Sequence, residues 1–351
     1  MNELLNKLRK NKIKVTLEGD NIKVKLPKDF QNSALLAEIK EHKEELIKCI
    51  KLMKERSASS TLGTERMLLL KEPYKHRNNL FFLHDGSGNV NSYIALADMI
   101  NSANCYGIMY KANHFAPETV SVEELATYYI KEMKSVQNTQ PYNLIGWSFG
   151  GILCYEMARQ LQKNGEKVNC IVMIDTGYFP NKSSLNFNLK QEKEILKLIF
   201  KENSKWISDS NSTISLWDTA IQSGKIDDIS FETVLKFTPE DIKPMLSGIS
   251  DKEEILKTHN IIRTLINSLF NYKLRGYINT NVLYIKAKDN VYATSDFLNN
   301  HINSLTIKES KGDHFSIMDK SNAKFLSQTI EDFFLSMEEK DTYHFSKILN
   351  R

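Results

Sequence analysis

Little in this sequence is given over to covalent or metal staples. Among 351 residues there are four cysteines, Cys49, Cys105, Cys154 and Cys170, scattered with no metal-type spacing. That excludes a disulfide scaffold and leaves free thiols in a reducing compartment as the expectation. Cys154 and Cys170 stand in apolar runs and read as packing residues. No apolar run is long enough to cross a bilayer. The opening MNELLNKLRKNKIKV is amphipathic and charged, without the apolar centre of a signal peptide, so the expected location is cytoplasmic. There is no large excess of one charge either. The net charge is +4, and residues 1–55 hold 13 basic against 9 acidic side chains, so the whole excess lies in that segment. A nucleic-acid binder carries a stronger basic patch with interleaved aromatics, and that class is set aside.

What is present falls into two textures. The first 53 residues read as a self-contained unit. Glu3–Lys10 has a short helical pattern. In Lys14–Leu26 two alternating runs flank Glu18-Gly19-Asp20-Asn21, which predicts a β-hairpin closed off by Pro27. Ser33–Met53 then places Leu35, Leu36, Ile39, Leu46, Ile47 and Ile50 at helical spacing, with a break at His42–Glu44. A polar, aperiodic stretch from Lys54 to Met67 follows, and a linker is assigned to 54–74.

The body, 75–340, alternates strands and helices. Strand-like runs are Met67–Glu72 at its threshold, Leu80–His84, Cys105–Tyr110, Tyr142–Trp147, Cys170–Ile174, Val282–Ala287 and Leu305–Lys308. Helical patterns cover Ser92–Ile100, Val122–Val136, Phe149–Asn164 and Ala323–Met337. This rhythm predicts an α/β fold with a mostly parallel sheet. It is interrupted over about 188–275 by a helical insertion with candidate helices Gln191–Ile207, Ile214–Gln222, Pro239–Leu246 and Glu253–Leu274. Asp341–Arg351 is read as a tail beyond the body.

The chemistry concentrates at Gly146-Trp147-Ser148-Phe149-Gly150. A G-x-S-x-G between a strand and a helix is a nucleophile elbow, in which the turn exposes the serine and the glycines avoid collision with neighbouring elements. A serine nucleophile needs a base, an orienting acid and an oxyanion hole. His314 is the expected base, on a loop after the last strand-like run. Asp313 beside it is expected to shape that loop. Two aspartates compete for the acid, Asp175 at the end of the strand-like stretch Val168–Gly177 and Asp289 at the end of Val282–Asn290, and spacing does not choose between them. Oxyanion donors are expected from the backbone N–H of Phe149 and, in the small-residue loop after Phe81–Leu83, of Gly86. That loop lacks both phosphate-binding fingerprints, G-x-x-x-x-G-K and G-x-G-x-x-G, and no bound cofactor or metal is expected.

These residues resemble a known family. LFFLHDGSGNVNSY, YNLIGWSFGGILCYEMARQL, VMIDTG and GDHFSIM are similar, in order and content, to the α/β-hydrolase thioesterases of nonribosomal peptide and polyketide synthases. The resemblance implies an α/β-hydrolase fold, Asp175 rather than Asp289 as the acid, and a helical lid over an acyl-binding cleft at 188–275. Trp206, Trp217, Phe231 and Phe270 are candidates either to shape that cleft or to pack the lid helices together, and packing is the expectation for most of them. LLNKLRKNKIKVTLEGDNIKVKLP resembles a TubC-type N-terminal docking domain. That implies capture of an upstream synthase subunit's C-terminal tail by residues 1–53, and a homodimer through this segment. No G-x-D-S-L-like phosphopantetheine site occurs in the chain, so the carrier protein is expected on another polypeptide, its thioester arm presented in trans. The activities implied are chain release by hydrolysis or macrocyclisation or, in second place, proofreading of misprimed carriers. An inert docking adaptor or a free esterase are the remaining alternatives.

Overall fold

The structure is a computed structural model. It describes residues 4, 7–8, 11, 13–19, 21–27, 30–58, 67–71, 78–115, 117, 119–179, 189–200, 205–222, 224, 230–238, 240, 242–246, 249, 251–291 and 293–349. The N-terminal segment is a hairpin of β1 (Lys14–Glu18) and β2 (Asn21–Lys25), followed by helices α1 (Ser33–Glu41) and α2 (Lys43–Ala58). Glu18 pairs with Asn21, so the turn is the short one expected, and Gly19 supplies the positive φ of 65° that it requires. His42 separates the helices, and Asn32 caps α1 by accepting from the Leu35 N–H.

A seven-stranded sheet forms the body, in the order β3-β5-β4-β6-β7-β8-β9. Its strands are β3 (Leu68–Lys71), β4 (Asn78–Leu83), β5 (Ala103–Ile108), β6 (Tyr142–Trp147), β7 (Val168–Ile174), β8 (Ile278–Ala287) and β9 (Ile302–Ser310). All neighbours are parallel except β3, which runs antiparallel to β5 at one edge. The expected linker 54–74 is therefore corrected at both ends. Helix α2 reaches Ala58, and Leu68–Lys71 belongs to the sheet, because Leu70 buries its side chain against the core.

Helices α3 (Ile94–Met99), α4 (Val122–Val136), α5 (Phe149–Lys163) and α11 (Lys320–Leu349) cover the two faces. Phe82, Ile145, Trp147, Val172 and Ile285 share one apolar cluster with α3 and α11. Phe81, Leu83, Leu144, Ile171 and Tyr284 share another with α4 and α5. Alternate residues of one strand thus serve opposite faces, and the central strands are buried on both, as apolar parallel strands must be. The region expected as a tail is helical as far as Leu349, a continuation of α11.

The insertion contains α6 (Leu189–Phe200), α7 (Lys205–Asp209), α8 (Thr213–Gln222), α9 (Phe231–Phe237) and α10 (Lys252–Asn271). One expectation is corrected. Pro239–Leu246 yields only a short 3-10 turn over Lys243–Leu246, and a helix forms instead at Phe231–Phe237. The reason is local: the Ser230 hydroxyl caps that helix by accepting from the Thr233 N–H, a signal stronger than its brief periodicity. Leu196, Ile207, Leu216, Trp217, Val234 and Ile262 form a third apolar cluster. Trp217 is buried there and Trp206 packs on its edge, as expected; the side chain of Phe231 lies outside the described residues.

The insertion also has a polar heart. Arg263 of α10 donates to both oxygens of Glu192, at 3.0 and 3.1 Å, and to Asn260 at 2.9 Å; the Trp217 indole N–H donates to Glu192 as well. Buried His259 lies 3.0 Å from the Thr238 hydroxyl, whose single proton goes to the Val234 carbonyl, so His259 Nε2 is the donor. Burial, aided by the Arg263 charge, pushes the His259 pKa down from 6.5 to about 3. The neutral ring is the folded form, so its stabilising contribution is complete above about pH 6.5 and is lost as pH falls toward 3. The prediction is a larger drop in melting temperature from pH 7.5 to 5.0 for the wild-type chain than for His259→Gln, equivalent to about 2 kcal/mol at most. Equal drops in calorimetry would remove His259 from the account.

Candidate active site

Strand β6 ends at Trp147, and helix α5 starts at Phe149, with no loop between them. The chain turns on Ser148, whose backbone sits at φ 56° and ψ −122°, a region costly for a residue with a side chain. The turn is possible because its flanks have no side chains. A Cβ on Gly146 would overlap the Gly150 backbone, and one on Gly150 would lie 2.5 Å from the Leu83 carbonyl of β4. The order of strands reverses direction between β4 and β6, so a crevice opens where their C-terminal ends part. Tyr93 bridges that parting. Its hydroxyl donates to the Leu83 carbonyl at 2.8 Å and accepts from the Trp147 N–H at 2.6 Å. Burial holds the Tyr93 phenol well above its ordinary pKa, so it is a neutral strap.

Ser148 Oγ lies 2.9 Å from His314 Nε2, and His314 Nδ1 lies 2.7 Å from Asp175 Oδ2. Asp175 can only accept when ionised, so Nδ1 carries the proton and the Nε2 lone pair faces the serine hydroxyl. Asp175 is fully buried, while His314 is 26% exposed. A buried carboxylate needs several donors, and this one has them. Besides His314, Oδ1 accepts from the Ala287 N–H at 2.9 Å, and Oδ2 accepts from Asn290 Nδ2 at 2.5 Å. Asp175 itself has a positive φ of 44°, held by its N–H donating to Ile285 of β8. Asp289, the rival acid, is outside this set: it is exposed, and its backbone N–H donates to the Gly312 carbonyl. Asn290 and Trp147 were not singled out from the sequence. The only hint of Asn290 was its place just past a strand end.

The His314 loop is braced from two sides. The Trp147 indole N–H donates to the His314 carbonyl at 3.0 Å, with the two rings 5.3 Å apart. Asp313 accepts from the N–H groups of Phe315 and Ser316 and from the Ser316 hydroxyl, which makes it a loop-shaping residue as expected. The Ser316 N–H is the main reason that its carboxyl lies below the usual range.

The loop after β4 closes on itself. Asp85 N–H donates to the Asn89 carbonyl, and Gly88 N–H to the Asp85 carbonyl. The buried Asp85 carboxylate takes the Ser87 N–H at 2.7 Å and the Ser92 hydroxyl at 3.2 Å. Between them, the Gly86 N–H has no acceptor among the described residues. His84 stacks on the Phe149 ring at 5.7 Å, which brings this loop against the elbow, and Met245 of the insertion lies over Gly86. The Phe149 N–H belongs to the first turn of α5, where backbone donors lack intrahelical partners. Among the described residues no group of three or more His, Cys, Asp or Glu is arranged to hold a metal, and no helix is long and apolar enough to cross a membrane.

Comparison with known proteins agrees in both parts of the chain. A thioesterase domain model matches residues 78–218, and a TubC N-terminal docking domain model matches residues 1–51. A non-reducing polyketide synthase of Pseudevernia furfuracea is 37% identical over 143 residues, which is 39% of this chain and 7% of that protein. Polyketide synthase PksR of Bacillus subtilis is 32% identical over 164 residues, 44% of this chain and 6% of its own length. The chain therefore spans a small part of each of these relatives. Among solved structures, a holo four-domain nonribosomal peptide synthetase bound to AMP and glycine superposes with a TM-score of 0.55 at 23% identity, over 83% of this chain and 22% of that one. The NocB thioesterase domain in covalent complex with a fluorophosphonate nocardicin G analogue gives 0.50 at 15% identity, over 76% and 99%. At such identities the likeness is one of fold, the α/β-hydrolase fold of thioesterase domains. Residues 78–218 thus match the thioesterase domain family, and residues 1–51 match the TubC N-terminal docking domain.

Proposed function

We propose that this protein is a serine thioesterase that releases an acyl or peptidyl chain from the phosphopantetheine thioester of a carrier protein on a separate synthase subunit. The observation that carries the reading is the unbroken hydrogen-bond chain Ser148–His314–Asp175. In this reading His314 Nε2 takes the Ser148 proton as Oγ attacks the thioester carbonyl carbon. The oxyanion is received by the N–H groups of Phe149 and Gly86, and the N-terminus of α5 adds a favourable field. The carbon–sulfur bond then breaks, His314 returns the proton to the departing sulfur, and the chain is left as an ester on Ser148. Water, or a hydroxyl or amine of the chain itself, completes release as a linear or cyclic product. Asp175 stabilises the imidazolium and stays ionised. No cofactor enters any step.

The docking segment supplies the carrier. A two-stranded hairpin leaves strand edges to which an extended tail of the upstream subunit can add, and a homodimer through the same segment is compatible with that capture. Docking converts an encounter in trans into a local one by raising the carrier's effective concentration. The lysines of β2 suit an acidic tail: Lys23 and Lys25 are exposed.

Intact-protein mass spectrometry after brief exposure to an acyl-N-acetylcysteamine thioester should show one acyl increment on the wild-type chain and none on Ser148→Ala. An increment that survives in Ser148→Ala refutes the nucleophile. Asn290→Ala should lower kcat about ten- to a hundredfold, the range seen when an outer-shell hydrogen bond to a site residue is lost, with KM little changed. An unchanged kcat would leave Asn290 a purely structural role. Lys23→Glu/Lys25→Glu should slow turnover of the carrier-borne chain about tenfold more than turnover of the small thioester, the docking advantage being one of local concentration. Equal effects on both substrates would dismiss the docking role.

A further inference from the structure

The sheet face covered by α3 and α11 carries a second cover. Leu35 and Ile39 of α1 and Leu46 of α2 are buried in the same apolar cluster as Ile94 of α3, Ile317 and Met318, and Leu326 and Ile330 of α11. Helix α2 packs on α3. Two ion pairs cross the same boundary. Lys48 of α2 pairs with Asp98 of α3, and Glu45 of α2 lies 2.5 Å from the Lys320 ammonium. That ammonium also donates to His42 Nδ1, at 3.3 Å, in the break between α1 and α2. Glu45 and His42 are mostly buried at this contact, so the charges meet where solvent screening is reduced. Lys320 is the first residue of α11, separated by Asp319 from the short turn Ser316–Met318 that leads away from His314.

A segment joined to its neighbour only by a linker would move independently. Shared apolar burial and two ion pairs at separate points oppose that freedom, since one pair alone leaves a pivot and two do not. We propose that β1, β2, α1 and α2 are clamped onto the α3–α11 face as one rigid body with the sheet. The hairpin then presents its captured partner at a fixed place relative to the sheet, not on a swinging tether. What the hairpin captures follows from the reading above, but the clamp does not depend on it.

The test uses the full chain carrying Cys49→Ser, with nitroxide labels at Lys40→Cys on α1 and Lys131→Cys on α4, both exposed and on opposite faces of the sheet. Pulsed electron resonance should give one narrow distance distribution. Lys48→Glu/Lys320→Glu, which reverses one partner of each ion pair, should broaden it severalfold, while Lys48→Arg/Lys320→Arg keeps it narrow. Circular dichroism and Ser148 acylation verify that the reversed variant is folded. In that variant turnover of a carrier-borne chain should fall about tenfold, in line with lost local concentration, with the small thioester still turned over at the wild-type rate. A broad distribution in the wild-type chain, or an unchanged one after charge reversal, overturns the clamp and leaves the thioesterase reading standing. A narrow distribution in a chain whose Ser148 is never acylated does the reverse.

Discussion

Everything at the crevice depends on how closely helix α5 approaches the two central strands. Gly150 rests on the end of β4, and Gly146 lies under the first turn of α5, without room for a single carbon at either place. That contact forces the chain to reverse within one residue, and Ser148 takes the resulting positive φ. Strain of this kind, about 1–3 kcal/mol, persists only where the surroundings over-determine it. Here the surroundings are a fully buried strand on one side and a fully buried first helical turn on the other. The same approach leaves Ser148 only partly buried between them.

The second constraint is the burial of a charge. Asp175 is fully enclosed, and an isolated carboxylate there would lose far more in hydration than the fold can supply. Three N–H donors, from Ala287, Asn290 and His314, offset that loss. The strand register makes this possible. Ile174 of β7 pairs with Ile285 of β8, so the chain leaving β8 passes directly over Asp175. The carboxylate therefore joins β7, β8 and the His314 loop, and the indole of Trp147 ties that loop back to the elbow. The insertion follows similar logic on a separate core: Glu192 and Arg263 are buried only because each is answered by the other and by Trp217 and Asn260. Replacing such a network by apolar side chains is often neutral for stability. Its value lies in specifying one arrangement of short helices whose periodic patterns are weak.

The N-terminal segment adds a different kind of constraint. Its helices share the apolar cluster beneath the sheet and place charges opposite Asp98 and Lys320. Position along the chain puts the hairpin far from His314, whereas the contact at Lys320 puts the helices after it near the turn Ser316–Met318 that follows that histidine. On the proposed reading, recognition of a partner and acyl transfer fall to surfaces of one body.

The elbow, the strand–helix alternation, the hairpin and the helical insertion were all legible in the residues alone, because each is local. Gly-x-Ser-x-Gly between an apolar run and a helix, a turn tetrad between alternating runs, and polar helical periodicity are written within a few residues of themselves. Asp175 was preferred over Asp289 only through family resemblance, since both follow apolar strands and spacing is blind to which strand lies next to which. The parallel order β6-β7-β8 and the pairing of β7 with β8 bring His314 Nδ1 to Asp175 and leave Asp289 in solvent. Asn290, Trp147 and the contact of α2 with α3 and Lys320 were invisible for the same reason. They are hydrogen bonds and ion pairs between residues far apart in the chain, and only the closing of the sheet and the burial of Asp175 gave those side chains their partners.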